Sequence, residues 1–410
     1  MSFAAGAGKA HEEFYVVRKG KIRLLKMAML YGPNSSGKTN LLLALDWLRQ
    51  FVTLPRANKL AGTGSIPFAF TDSPETSLSS FSLAFFVGNT EYIYELTLNV
   101  KQVVTEKLTY YASTQPALLF DRRLDEEDLA VITFGKKADL TKAEQQTLEG
   151  ITISNQSVLA SYLKANVASP PLAAAAAWFQ QGLRPLVRPE TDLTLRYARR
   201  LHQQPERQAF ALKALSQADF NVKDLRIDTY TVPKRGYTYR QPVQFITSDD
   251  EGMLLRDDVA EPEKGYDIFF THETEQGRYS LPFLVQSVGT QRYFGLIGLL
   301  DELMDGQTVL SIDELDASMH PELLRFFLLI ARSYVDDAQF IFTIHDLEQL
   351  RDDIFRRDAV WFCEKNEHGA TELFSLQDFK RHKNVSDYNA YRIGKLGAFP
   401  EVGSANLLQD

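Results

Sequence analysis

"MAMLYGPNSSGKTNLLLALDWLRQFV", residues 27 to 52, is the stretch on which the fold turns. The apolar run from Met27 to Tyr31 reads as a buried strand, and Leu41, Leu42, Leu45, Leu48 and Val52 recur afterwards at helical spacing. Between them Gly32-Pro33-Asn34-Ser35-Ser36-Gly37-Lys38-Thr39 satisfies G-x-x-x-x-G-K-[ST], the phosphate loop. Its glycines let backbone N–H groups close around phosphate oxygens, and the helix N-terminus adds its dipole. Lys38 is placed to reach the β and γ phosphates, and the Thr39 hydroxyl to complete a magnesium shell. The expected nucleotide set is therefore Gly32, Pro33, Asn34, Ser35, Ser36, Gly37, Lys38, Thr39 and the following Asn40. ATP and Mg²⁺ are the cofactors this implies.

A second dense stretch lies far downstream, "LPFLVQSVGTQRYFGLIGLLDELMDGQTVLSIDELDASMHPELL", residues 281 to 324. The strand "TVLSI" ends in Asp313-Glu314, an arrangement in which the first carboxylate holds Mg²⁺ and the second polarises the attacking water. A generic phosphate-loop enzyme needs no further acids. Leu315-Asp316-Ala317-Ser318 resembles the D-loop of ATP-binding-cassette ATPases, and "QSVGTQR", residues 286 to 292, resembles the signature loop of their SMC and RecF branch. The resemblance implies that Ser287 and Gly289, at a helix N-terminus, cap the γ-phosphate bound by another protomer, with Asp316 meeting it across the interface. "QFIFTIHD" ends its strand at the position of the class's switch histidine, His345. Glu314, His345 and Lys38 are the expected catalytic residues, and Thr39 and Asp313 the expected metal ligands.

Composition bounds the rest. The 410 residues are 44% hydrophobic and 24% charged, enough for a sizeable core and two or three domains. No apolar run approaches the roughly 18 residues of a membrane span, and the first thirty residues lack a signal-peptide pattern, so a cytoplasmic protein without a membrane partner is expected. A single cysteine, Cys363, excludes an internal disulfide and a Cys-based zinc site. A formal charge of −8 argues against a whole surface built for nucleic acid, although a local basic strip remains open. "SSFSLAFFV", "EYIYELTLNV", "KLTYYAST" and "AVITFG" read as strands. "SVLASYLKAN", "PLAAAAAWFQQGL" and "PERQAFALKAL" read as helices, with Ser169 before Pro170 as a start signal. "LRIDTYTV", "VQFITS" and "YDIFF" return to strands, and the polar segment 249–265 is expected to be exposed and mobile. The expected fold class is α/β, a cassette-like ATPase head with an inserted α+β region. Its lobes are 1–140, with the phosphate loop and a β-rich segment, and 286–410, with the remaining nucleotide motifs; residues 141–285 form the insertion.

A narrower resemblance rests on "YGPNSSGKTNLL", "DELDASMHPEL", "FTIHDLEQL" and the tail "DAVWFCEKNEHGATELFSLQDF…YNAYRIGKLGAFP", with weaker matches at "KLTYY" and "LLFDRR…ITFG". These are similar to the AbiL/RloA-like ATPases of prokaryotic defence islands. The tail is the most specific element, because no generic cassette ATPase needs it. Such chains usually carry an opening strand before the phosphate loop, and this one reads as starting just after it; Ser311, where an aliphatic is usual, is a smaller departure. The resemblance implies an ATP-dependent homodimer or higher oligomer that acts as the sensor or switch of an anti-phage system. A separate effector protein, a nuclease encoded nearby, is the implied partner. A RecF-like repair ATPase that binds DNA is the alternative. For that, Arg184, Arg188, Arg196, Arg199 and Arg200, or Lys234, Arg235 and Arg240 among tyrosines, are the candidate contacts. The gap from Thr39 to Asp313 holds no heptads, which excludes a long coiled coil. Only 65 residues follow His345, too few for a Toprim nuclease domain.

Overall fold

The computed structural model describes residues 1–218, 220–231, 264–304, 306–351, 355–380 and 386–399. Its elements run from a helical turn α1 (Glu12–Tyr15) and the hairpin β1 (Val16–Lys19) and β2 (Ile22–Leu25) to β3 (Met27–Tyr31) and α2 (Lys38–Thr53). Five strands follow, β4 (Ser79–Val87), β5 (Thr90–Leu98), β6 (Val103–Tyr110), β7 (Ala117–Leu124) and β8 (Ala130–Phe134). Then come the helices α3 (Lys142–Ile151), α4 (Val158–Lys164), α5 (Pro170–Ala177), α6 (Thr194–Gln203) and α7 (Gln208–Gln217). Next are β9 (Val222–Thr231), β10 (Lys264–Thr274), β11 (Gly277–Pro282), α8 (Val288–Leu303), β12 (Val309–Ile312) and α9 (Pro321–Tyr334). The order ends with β13 (Gln339–Thr343), β14 (Val360–Lys365), β15 (Thr371–Ser375) and α10 (Asp387–Arg392). The chain divides into two compact units, residues 1–188, 307–315 and 337–410 in the first and 189–306 and 316–336 in the second.

The first unit is built on a sheet of order β12-β13-β3-β14-β15. β3 is buried at all five positions, which is why it reads as an unbroken apolar run rather than an alternating one. It pairs in parallel with β13 and β14, β13 pairs in parallel with β12, and β15 returns antiparallel along β14. The other edge of β12 is covered by an extended stretch in which Leu183 and Val187 bridge Val309 and Ile312. There Val187 donates to Ser311 O, and Asp313 N–H donates back to Val187 O at 2.8 Å. This mixed α/β sheet, with a phosphate loop on its central strand, is the expected fold class.

The antiparallel sheet β4-β5-β6-β7-β8 alternates as its sequence does, and its inward residues Phe85, Tyr94, Leu96, Leu108 and Phe120 share one core with Leu48, Phe51 and Val52 of α2. Leu159, Leu172 and Phe179 close that core, each such buried side chain being worth roughly 1.5–3 kcal/mol. Ser169 caps α5 as expected, its hydroxyl accepting from Leu172 N–H. Residues 141–188 thus belong to the first unit. Under the loop that leads into α4 lies a buried polar cluster: Glu106 accepts from Val158 N–H and Tyr94 Oη, and cross-strand Arg122 donates to the carbonyls of Ile153, Ser154 and Gln156.

In the second unit α8 is the central helix. Gly295 and Gly298 lie where a methyl group would meet Leu193 and Tyr197, so α6 packs closely. Asp301, 1% exposed, is held by Arg200 at 2.7 Å and Arg207 at 2.9 Å, and Arg196 pairs with Glu302. Two of the arginines considered for DNA, Arg196 and Arg200, therefore join α6 to α8. Arg199 is exposed. Lys234, Arg235, Arg240, the strand reading "VQFITS" and residues 249–263 lie outside the described residues. Among the described residues no helix is long and apolar enough to cross a membrane.

Candidate nucleotide site

Gly32, Ser35 and Gly37 take positive φ values of 150°, 63° and 99°, and these bend the chain from β3 around into α2. A side chain at Gly32 would collide with the Cys363 carbonyl of β14, and one at Gly37 with the Thr371 hydroxyl of β15. Both loop glycines are thus required by close approach as well as by conformation. Lys38 is 6% exposed and its ammonium donates to the Gly32 and Pro33 carbonyls at 2.8 and 3.0 Å, folding the loop over its own cation. The Ser36 hydroxyl is buried and makes no hydrogen bond among the described residues.

The acidic strand end arrives beside this loop. Because Ile312 pairs with Phe342, Asp313 and Thr343 leave neighbouring strands at the same level. The Thr343 hydroxyl, fully buried, donates to Asp313 Oδ1 at 2.7 Å and accepts from Glu314 N–H at 2.7 Å. Thr39 donates to the same Asp313 oxygen at 3.2 Å. Glu314 is left-handed, φ 48°, and its turn is held a second time by Leu315 N–H on the Thr343 carbonyl. Asn34, Ser35, Ser36, Gly37, Lys38, Thr39, Asn40, Asp313, Glu314, Thr343 and His345 line one open cavity of about 370 Å³. A hydroxyl and a carboxylate side by side are hard oxygen donors of the kind Mg²⁺ takes. With the glycine cradle and the buried Ser36 hydroxyl, they suit a phosphate chain carrying that ion.

A second cavity of about 510 Å³ has walls of Tyr31, Gly32, Pro33, Asn34, Ile344, His345, Leu347, Tyr391 and Phe399, so it shares Asn34 and His345 with the first. Tyr391 of α10 stacks on Phe362 at 5.1 Å and donates to Ala398 O, and burial pushes its hydroxyl up to about 12. Burial likewise pushes the Cys363 thiol up to about 11, against the pull of Lys38.

The expected residues of the first unit, Gly32 to Asn40, Asp313, Glu314 and His345, converge on these two cavities. Ser287, Gly289 and Asp316 belong to the second unit. There Ser287 caps α8, accepting from Thr290 N–H at 3.1 Å, and a side chain at Gly289 would press on the Ser318 carbonyl. The signature-like turn and the D-loop-like turn thus touch each other. Sequence reasoning missed Thr343 and Thr371. For Thr343 one signal existed, a lone hydroxyl closing the apolar strand "QFIFT"; for Thr371 none did.

Comparison with known proteins places the chain among AAA domains. Residues 27–351 match the family model AAA_21, described as "AAA domain, putative AbiEii toxin, Type IV TA system". No curated protein matches the chain. Among solved structures, the SMC head domain from Thermotoga maritima is similar at 14% identity and TM-score 0.37, over 88% of this chain and 97% of that one. An Smc head domain with an extended coiled coil, bound to the C-terminal domain of ScpA derived from Pyrococcus furiosus, is similar at 11% identity and TM-score 0.36, over 92% and 94%.

Proposed function

We propose that this chain, which belongs to the AAA_21 family of AAA domains, binds Mg-ATP at a homodimer interface and hydrolyses it as a nucleotide-gated switch. The observation that carries this reading is the convergence of Lys38, Thr39, Asp313, Glu314 and His345 on one cavity, from separate stretches of chain. Lys38 exchanges its contacts with the Gly32 and Pro33 carbonyls for phosphate oxygens, which hold the charge better than neutral carbonyls do. Thr39 and Asp313 would hold Mg²⁺, which would supply neutralisation of phosphate charge. Glu314, aimed by its left-handed backbone, accepts the proton of the attacking water, and His345 donates to the terminal phosphate. Ser287, Gly289 and Asp316 are supplied to that phosphate by the second protomer. Closure over ATP and release after hydrolysis make the two states of the switch.

In this reading the output of the switch passes to another molecule. Among the described residues no group of three or more His, Cys, Asp or Glu is placed to hold a metal ion. The reading is that of a cytoplasmic sensor or switch of an anti-phage system, controlling a separate nuclease; the family description, which names an AbiEii toxin and a Type IV TA system, supports the defence part of it alone. In the test, Glu314→Gln binds a fluorescent ATP analogue with wild-type affinity and hydrolyses ATP slowly, by roughly a hundredfold or more, the scale of a lost general base. Lys38→Ala loses nucleotide affinity. Undiminished turnover in Glu314→Gln removes that residue from catalysis, and cleavage of DNA or RNA by the pure chain removes the separate effector.

A further inference from the structure

The hairpin β14–β15 sits directly behind the phosphate loop. The Thr371 hydroxyl donates to the Ser36 carbonyl at 2.8 Å, joining residues 335 positions apart. The same hydroxyl occupies the space a side chain at Gly37 would need, and the Cys363 carbonyl on the opposite strand occupies that of Gly32. The hairpin therefore touches the loop at both of its glycines. It is itself stiff: Lys365 pairs with Thr371 and Cys363 with Leu373, Asn366 Oδ1 accepts from His368 and Ala370 N–H, and Lys365 Nζ reaches Gly369 O at 2.7 Å.

We propose that Thr371 is a positioning residue for nucleotide binding, its hydroxyl fixing the Ser36–Gly37 peptide so that the loop's N–H groups face the phosphate chain. This rests on the reading of the loop as an ATP site and adds to it a residue that no phosphate-loop pattern contains. The reason is local. With Ser36 O held from behind, the peptide plane cannot rotate, and the N–H of Gly37 stays turned to the opposite side, into the cavity. Without that bond the left-handed Gly37 is free to explore other conformations, and the order needed for binding must be imposed by the nucleotide.

The experiment titrates the full chain with a fluorescent ATP analogue in Mg²⁺ and measures kcat and KM for ATP hydrolysis, comparing Thr371→Val, Thr371→Ser and Lys38→Ala. Thr371→Val should weaken binding and raise KM by roughly tenfold, the worth of one hydrogen bond, while kcat changes by less than about twofold. Thr371→Ser keeps the hydroxyl and should restore both, and the melting temperature without nucleotide should fall by no more than a few degrees in Thr371→Val, the worth of that one hydrogen bond to the fold. Wild-type affinity in Thr371→Val, with Lys38→Ala defective, overturns the proposal and leaves the ATP site standing. Equal losses in the Val and Ser variants, or a fall in melting temperature of about ten degrees or more in Thr371→Val, also overturn it, since loss of that one hydroxyl bond is then not the cause. Wild-type affinity in Lys38→Ala overturns the ATP site itself.

Discussion

Thr343 shows how one hydroxyl can organise a pair of acids. Its hydroxyl donates a hydrogen bond to Asp313 Oδ1 and accepts one from Glu314 N–H, each at 2.7 Å, so the two carboxylate residues are tied to one atom on the neighbouring strand. Thr343→Val keeps the shape and removes both bonds, leaving the Glu314 N–H and the buried Asp313 carboxylate each short of a partner at a cost of about 1–3 kcal/mol. Because Glu314 is held in the left-handed region partly by that bond, the variant should lose turnover by roughly tenfold or more while nucleotide affinity stays within about threefold. Thr343→Ser should behave as the wild type. Steady-state hydrolysis beside nucleotide titration checks this, and an equal loss of affinity and turnover assigns Thr343 to binding instead.

At the scale of elements, the antiparallel sheet is tied to the helices after it by the Glu106–Arg122 cluster. Both side chains are fully buried, and each serves backbone groups of the 153–158 loop as well as the other. Burial pushes the Glu106 carboxyl up and the Arg122 guanidinium down, and their mutual attraction opposes both shifts. Glu106→Gln, nearly isosteric, leaves the arginine buried without a counter-charge and should destabilise the fold by about 3–5 kcal/mol, as losing one partner of a buried pair does. Urea unfolding followed by tryptophan fluorescence should show the lowered midpoint, Trp47 and Trp178 both packing against this core. A midpoint within error of the wild type means that the cluster contributes nothing to holding α4 on the sheet.

For the whole molecule, the question is whether each proposed ATP site is completed by a second copy. Lys38→Ala leaves the Ser287 loop intact, and Ser287→Arg, at an exposed helix cap, leaves the phosphate loop intact. If sites are shared, an equal mixture of these two inactive variants forms half mixed dimers, each with one intact site, and should recover about a quarter of wild-type activity when sites fire independently. A mixture as inactive as its parents rejects shared, independent sites. The output of the switch is tested in cells: phage resistance should require a second gene of the same operon, and resistance from this gene alone places the effector within the 410 residues.

What the sequence determined by itself was local. The strand, loop and helix of residues 27–53 are dictated by glycines that take positive φ and by apolar spacing, and the period of two in β4 and β5 or the Ser169 cap are likewise settled within a few residues. The acids at the end of β12 could be read for the same reason, since a turn brings the residues after a buried strand out of the core. Only the tertiary structure decided what crosses the chain. Thr371 meets Ser36 across 335 positions, Arg200 meets Asp301 across 101, and Val187 edges the central sheet beside Ser311. Threonine, arginine and valine at those places carry no local mark of their partners. A hydrogen bond reaches about 3 Å, so its partners are set by which strands the fold lays side by side rather than by spacing along the chain.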